Sequence, residues 1–216
     1  MNPRYKSVVL DVDSTLCGIE GIDWLASLRG EEIASKVAHQ TNIAMQGEFP
    51  IEDLYGNRMK LVSPTRDELK ALTDAYRDAI APGAKEAIAK WRSAGVHVVL
   101  ISAGLKAAIT PVALELGFDA QQVNALEIEF DSEGVFHDFD RSSPLTTVLG
   151  KRKLLKELDL PRPLLAVGDG VTDLAMQEVA DAFAAFTAFA SRDPVTSKAD
   201  FVVSSFDELN RIILGD

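Results

Sequence analysis

The chain has 216 residues, 47% hydrophobic and 25% charged, a globular composition that excludes disorder, collagen and fibre. Its 33 acidic and 22 basic residues leave a net charge of −11, which argues against a broad basic face for nucleic acid, so any phosphate it handles is small and held locally. A single cysteine, Cys17, can make neither an internal disulfide nor a cysteine zinc site, and no apolar stretch approaches the ~20 residues of a membrane span. Arg4 and Lys6 precede an apolar run shorter than the ~7–15 residues of a secretory signal core, so the expectation is a cytoplasmic protein with no membrane partner.

In chain order, short apolar runs at residues 7–10, 96–101, 164–167 and 201–203, with a weaker fifth at 182–186, are each compatible with a buried parallel strand. Helical patterns lie between most of them. Pro82-Gly83 opens a helix over 84–93 closed by Gly95, residues 105–116 end at Gly117, 148–158 stop before Pro161, and 207–214 close the chain. This alternation predicts an α/β protein with a Rossmann-like three-layer parallel sheet and right-handed crossovers. Residues 20–81 break the alternation, carrying amphipathic helical patterns such as Ile33, Val37, Thr41, Ala44 and Met45, and read as a helical insertion after the first strand. Residues 119–140 predict a small appended hairpin, with one strand over 123–130, a turn at 131–134 and a return through Val135-Phe136.

Chemistry-bearing residues gather where the predicted strands end, the edge at which open α/β sheets bind ligands. Asp11 and Asp13, two apart after the first strand, are close enough to repel unless a cation or proton is shared, although solvated loop aspartates would look the same. Gly168-Asp169-Gly170-Val171-Thr172-Asp173 adds carboxylates from a second strand end, and together they make a hard oxygen site suited to Mg²⁺. Ser102-Ala103-Gly104 offers a hydroxyl and successive backbone N–H groups before a helix, an anion cradle. Lys151 is either a solvated helix-start charge or the compact cation that a transferring phosphoryl group needs. Asp11 as nucleophile, Asp13 as acid, Ser102 and Lys151 as phosphate holders and Asp169 on the metal make a complete phosphoryl-transfer set.

These motifs, in this order, resemble the haloacid-dehalogenase superfamily of aspartate-nucleophile phosphatases. A narrower resemblance runs over nearly the whole chain. Asp11-Val12-Asp13-Ser14-Thr15, Glu20-Gly21-Ile22-Asp23, Thr41-x-x-Ala44-Met45-x-Gly47, Arg58, Ser102-x-Gly104, Val123-Asn124-x-Leu126 and the Gly168–Asp173 segment are similar to the phosphoserine phosphatase family. The resemblance implies a core of residues 1–18 and 82–216 with a helical cap over 19–81, and an Mg²⁺-dependent hydrolysis of phosphoserine in serine biosynthesis. It implies that Glu20 meets the substrate ammonium and Arg58 its carboxylate, with Met45, Ala103, Gly104 and Thr172 also around the substrate. The metal is then held by the Asp11 side chain, the Asp13 main-chain carbonyl and Asp169, supported by Asp173, in a monomer or homodimer.

Independently of any family, Arg58 falls in the inward pattern Leu54, Arg58, Leu61, where a guanidinium requires a partner; an ion pair with a cap glutamate is the structural alternative. Glu20 ahead of a helix is also compatible with a simple dipole-favoured helix charge. Two departures from the family pattern stand out: Ala103 and Leu105 replace a glycine and a phenylalanine, and Thr172 replaces an asparagine common among members. His39, His97 and His137 have no partner at catalytic spacing, Trp24 and Trp91 read as core, and Cys17 reads as a buried thiol. Another phosphatase of the superfamily, a phosphotransferase, and a signalling receiver domain remain the rival functions, the last disfavoured by the ~60-residue insertion.

Overall fold

The computed structural model describes residues 2–46 and 51–215, with the side chains of 51–53 outside that description; Gly47 of the cap motif lies outside it too. Six parallel strands form one sheet: β1 (Ser7–Leu10), β2 (His97–Leu105), β3 (Val123–Leu126), β6 (Leu164–Gly168), β7 (Ala182–Phe186) and β8 (Phe201–Val203), in the order β3-β2-β1-β6-β7-β8. A separate antiparallel pair joins β4 (Ile128–Phe130) to β5 (Phe136–Phe139). β1, β6 and β7 are buried at every position, because helices cover both faces of a parallel sheet.

The strand period of two sorts the side chains into two cores. Val8, Leu10, Val98, Leu100, Leu165, Val167, Ala184 and Phe186 face one side, and Val9, Val99, Ile101, Leu164, Ala166, Phe183 and Ala185 face the other. On the first face lie α5 (Ala84–Ser93), α6 (Lys106–Glu115) and α10 (Phe206–Leu214). Trp91 of α5 is fully buried there, stacks on Phe206 and donates its indole N–H to Asn210 Oδ1 at 2.6 Å. α7 (Gly150–Glu157) and the short α8 (Val171–Leu174) and α9 (Asp193–Thr196) belong to the second face and the strand ends beside it.

Residues 20–81 hold four helices, α1 (Gly21–Ser27), α2 (Glu31–Gln46), α3 (Ile51–Val62) and α4 (Arg66–Asp78), and no strand among the described residues. Their apolar faces, including Leu25, Val37, Met59, Leu72 and Tyr76, merge with the first core cluster. The chain enters and leaves this insertion side by side. Gly18 N–H donates to the Ala79 carbonyl at 2.8 Å, Ala81 N–H to the Leu16 carbonyl at 2.9 Å, and Cys17 bridges Ile80. Within it, Arg29 of the α1–α2 turn grips Glu68 with two bonds of 2.6 Å, and Arg29 Nε donates to the Val62 carbonyl at 2.7 Å.

α4 opens on a capping box: Thr65 Oγ1 accepts from Glu68 N–H at 3.2 Å, and Glu68 Oε2 accepts from Thr65 N–H at 2.8 Å. Thr65→Ala removes one of the two bonds and is expected to lower unfolding free energy by about 1 kcal/mol. The check is a urea titration, in which the midpoint falls at unchanged slope.

Two expectations need correction. Residues 123–130 are not one hairpin strand: β3 joins the main sheet as its edge beside β2, and after Glu127 the chain starts β4 of the hairpin. The reason is apolar: Val123 and Leu126 belong to the first core cluster, so this half of the run gains more from the sheet than from a two-stranded ribbon. The second strand does not stop at Ile101 either. β2 continues through a register shift between Ile101 and Leu105, where Leu105 pairs again with Leu126, so Ser102–Gly104 sit in an irregular stretch of strand.

Candidate active site

The carboxyl ends of β1, β2 and β6 meet at the middle of the sheet, where strand order reverses direction along the chain, the position at which such sheets bind ligands. A cavity of about 30 Å³ lies there, lined by Asp11, Asp13, Glu20, Met45, Arg58, Ser102, Ala103, Gly104, Lys151 and Asp169 among others, and by no histidine. Ten of the twelve residues singled out from the sequence therefore border one space; Thr172 and Asp173 are buried but do not line it.

Asp11, directly after β1, is 5% exposed, with Lys151 Nζ 2.7 Å from its Oδ1. That contact is ionic and off-axis, leaving Oδ1 without a well-directed hydrogen bond. Lys151, near the start of α7, also donates to Asp173 Oδ1 at 2.6 Å. Asp173 is fully buried, and its Oδ2 accepts from Gly170 N–H at 3.0 Å, which pins the turn after β6. Gly168 is required here because a Cβ would stand 2.2 Å from Asp173 Cγ. Burial, then repulsion from Asp173, hold the Asp11 carboxyl well above its ordinary range against the pull of Lys151. For Lys151, burial works against the charge, and the Asp11 and Asp173 carboxylates outweigh it, so the ammonium stays protonated.

Asp13 is held differently. Its Oδ1 accepts from Gly21 N–H at 2.6 Å and from the Tyr76 hydroxyl at 2.7 Å, while Oδ2 accepts from Ser102 Oγ at 3.2 Å. Asp13 thereby satisfies the first N–H of α1, the job that Glu20, the preceding residue, leaves undone. Glu20 instead accepts from Ser14 Oγ at 2.7 Å, so the simple helix-charge alternative does not describe it. Burial, with Asp13 and Asp23 adding to it, pushes the Glu20 carboxyl up to about 7 against the Ser14 hydrogen bond and Arg192. Ser102 Oγ also accepts from Gly104 N–H at 2.9 Å. Gly104 has no room for a side chain: a Cβ would lie 2.7 Å from Asp13 Oδ2.

The helical insertion contributes Arg58 and Tyr55 from α3 and Met45 from the end of α2. Arg58 is 4% exposed, yet its partner is Thr41, not a glutamate: Nη1 donates to Thr41 Oγ1 at 2.8 Å, and Thr41 donates to Asp23 Oδ1 at 2.6 Å. Arg58 Nε has no partner. A buried guanidinium that borders the cavity with an unused donor is equipped for an anionic ligand. The Tyr55 hydroxyl donates to the Ala103 carbonyl at 2.9 Å, tying the insertion to β2. Met45 packs close over Gly170, where a Cβ would be 2.8 Å from its sulfur. Thr172 is buried with its hydroxyl unpaired. Cys17 is a buried thiol pushed up by burial, and Arg152 pairs with Glu178 outside the cavity.

Sequence reasoning missed Tyr76, Tyr55 and, above all, Arg192. Arg192 precedes α9 in the turn after β7, its side chain is 10% exposed, and Nη1 contacts Asp169 Oδ2 while Nη2 lies 4.0 Å from Glu20 Oε1. Its signal was available: a basic residue a few positions beyond a strand end on the ligand-binding edge.

Side-chain oxygens of Asp11, Asp169 and Asp173, all buried, come within 4.8 Å of one another. Three converging carboxylates, one oxygen of Asp11 lacking a directed bond, fit a hard divalent cation. The Asp13 side chain is not in this group, being committed to Gly21, Tyr76 and Ser102.

A parallel sheet with this cluster at its switch point defines a class of hydrolase. Residues 8–178 match the haloacid dehalogenase-like hydrolase family, to which the chain belongs. Within that family its relatives include phosphoserine phosphatases. The chain is 34% identical over 206 residues to the phosphoserine phosphatase of Rattus norvegicus, covering 94% of this chain and 91% of the relative. To the chloroplastic phosphoserine phosphatase of Arabidopsis thaliana it is 33% identical over 209 residues, covering 94% and 70%. The crystal structure of a phosphoserine phosphohydrolase-like protein from Francisella tularensis superposes with a TM-score of 0.89 at 26% identity, over 96% of this chain and 99% of that one. Among the described residues no helix is long and apolar enough to cross a membrane.

Proposed function

We propose that the chain is an Mg²⁺-dependent phosphatase that converts O-phospho-L-serine to L-serine and phosphate, the closing step of a serine biosynthesis, in the cytoplasm. The observation that supports this most is that Arg58 and Glu20, a cation and an anion from the helical insertion, border the same cavity as Asp11 and Lys151. Phosphoserine carries the charges that such a pair would recognise beside its phosphate. Residues 19–81 act as the cap and residues 1–18 with 82–216 as the core.

Asp11 attacks phosphorus in line and becomes the aspartyl phosphate, while Lys151 offsets the repulsion between carboxylate and phosphate. Ser102 Oγ and the backbone N–H groups beyond it hold phosphate oxygens. Asp13 carries the transferred proton on Oδ2, the oxygen that the Ser102 hydroxyl releases when it turns to the phosphate, while Oδ1 stays with Gly21 and Tyr76. It gives that proton to the departing serine oxygen and then receives one from the water that opens the aspartyl phosphate. Asp11 and Asp169, with the Asp13 main-chain carbonyl and Asp173 in support, would hold the divalent ion, which supplies charge neutralisation at the phosphoryl group. The donors are all oxygens, which favours Mg²⁺. A cavity of about 30 Å³ holds little more than water, so substrate entry requires the cap to open.

The decisive experiment is phosphate release from a panel of phospho-amino acids and sugar phosphates, with and without Mg²⁺ and with added acceptor alcohols. L-phosphoserine is expected to be the best substrate by kcat/KM and to need the metal. Preference for a sugar phosphate, or transfer to the alcohol in place of release, would replace this reading with one of its rivals.

Glu20 adds a substrate signature. Only phosphoserine carries an ammonium for this carboxylate to attract, so Glu20→Gln is expected to lower kcat/KM for phosphoserine several-fold more than that for an aryl phosphate.

A further inference from the structure

Five carboxylates, from Asp11, Asp13, Glu20, Asp169 and Asp173, crowd the strand ends, and among the described residues Lys151 and Arg192 are the cations in direct ionic contact with this group. The two cations divide the cluster between them. Lys151 takes Asp11 and Asp173, and Arg192 takes Asp169, the third member of the group whose oxygens approach within 4.8 Å. The two are mounted differently. Lys151 is enclosed, 3% exposed, on the eight-residue α7. Arg192 is carried by the turn after β7 and has a second acceptor within reach, since Glu20 Oε1 stands 4.0 Å from its other terminal nitrogen.

We propose that Arg192 is a resident counter-cation that occupies Asp169 when no divalent ion is bound and moves to Glu20 when one enters. An ion ligated through Asp169 Oδ2 takes the oxygen that the guanidinium now contacts, so the two cations compete for that atom. Glu20 gives the displaced guanidinium an anionic acceptor that keeps it out of solvent. Metal affinity then depends on Glu20 through Arg192, and the same carboxylate that would take the substrate ammonium is engaged in the loaded, substrate-free enzyme. The inference rests on the metal site proposed above.

The test is Mn²⁺ binding by calorimetry, with free Mn²⁺ followed by its paramagnetic resonance signal, on the full chain. Arg192→Gln is expected to bind Mn²⁺ about tenfold tighter than wild type, within the usual range of coupled sites. Glu20→Gln should bind it several-fold more weakly. In the Arg192→Gln background the Glu20→Gln loss should disappear, whereas a simple field effect of the lost anion would persist in both backgrounds. Unchanged or weaker binding by Arg192→Gln, or a persistent Glu20→Gln loss, overturns the proposal. If Arg192→Gln fails to fold, crystals of the wild type soaked in Mn²⁺ decide: the guanidinium must have left Asp169. Asp169→Asn distinguishes the two failures, because binding that survives it, or no binding by wild type, removes the metal site itself and this inference with it.

Discussion

Asp11→Asn is expected to abolish phosphate release, lowering kcat by a factor of at least about 10⁴, while leaving the protein folded. The size of the loss follows from the role: an amide cannot act as the nucleophile that forms the acyl phosphate, and no other carboxylate is free to substitute. Asp13 is bound on both oxygens and Asp173 is bonded to Lys151 and Gly170. Stability should move little or upward. The native Asp11 carboxylate is buried against Asp173 and Asp13, both of which repel it, and Lys151 keeps its bond to Asp173 when the Asp11 charge is gone. Thermal unfolding monitored alongside turnover checks both halves. An Asp11→Asn protein with more than trace activity would show that another group attacks phosphorus.

Arg58→Ala is expected to reduce kcat/KM for phosphoserine by about 10²–10³ and that for an aryl phosphate by less than tenfold. That range corresponds to roughly 3–4 kcal/mol, the scale on which a desolvated charged hydrogen bond is lost. Only phosphoserine presents a carboxylate, and Arg58 Nε is a donor with no protein partner to take its place. If Arg58 merely braced the insertion through Thr41, both substrates would suffer alike, and Arg58→Lys would restore both. Equal losses would therefore reassign the residue to structure.

How much of this was legible before any coordinates depended on whether the determining interaction was local. Helix α5 lies over 84–93 as expected, because Pro82, Gly83 and Gly95 mark its ends in the chain itself. β1 and β7 also match their predicted spans, since a strand buried on both faces is apolar almost throughout, and so does the edge strand β8, although its Val202 is exposed and not buried as expected. The convergence of Asp11, Ser102 and Asp169 was legible for a related reason: parallel strands carry their carboxyl ends to one edge, so motifs at those ends meet; Lys151, on α7, joined them only in combination with the other motifs. The partition of residues 123–130 was not. Nothing local tells an edge strand from a hairpin arm; the decision belongs to Leu100, Ile101 and Leu105, which offer β3 a place to pair.

The amino-acid order by itself determined the buried strands β1 and β7, where α5 starts and stops, and that a carboxylate-rich motif crowns the first strand, for all of these follow from side-chain periodicity and backbone stereochemistry over a few residues. Only the tertiary structure decided that Arg58 rests on Thr41, that Asp13 is spent on Gly21, Tyr76 and Ser102, and that Arg192 reaches Asp169 from 23 positions away. Those are choices among many possible partners of the same charge or polarity, and burial at one meeting point of separate segments selects between them.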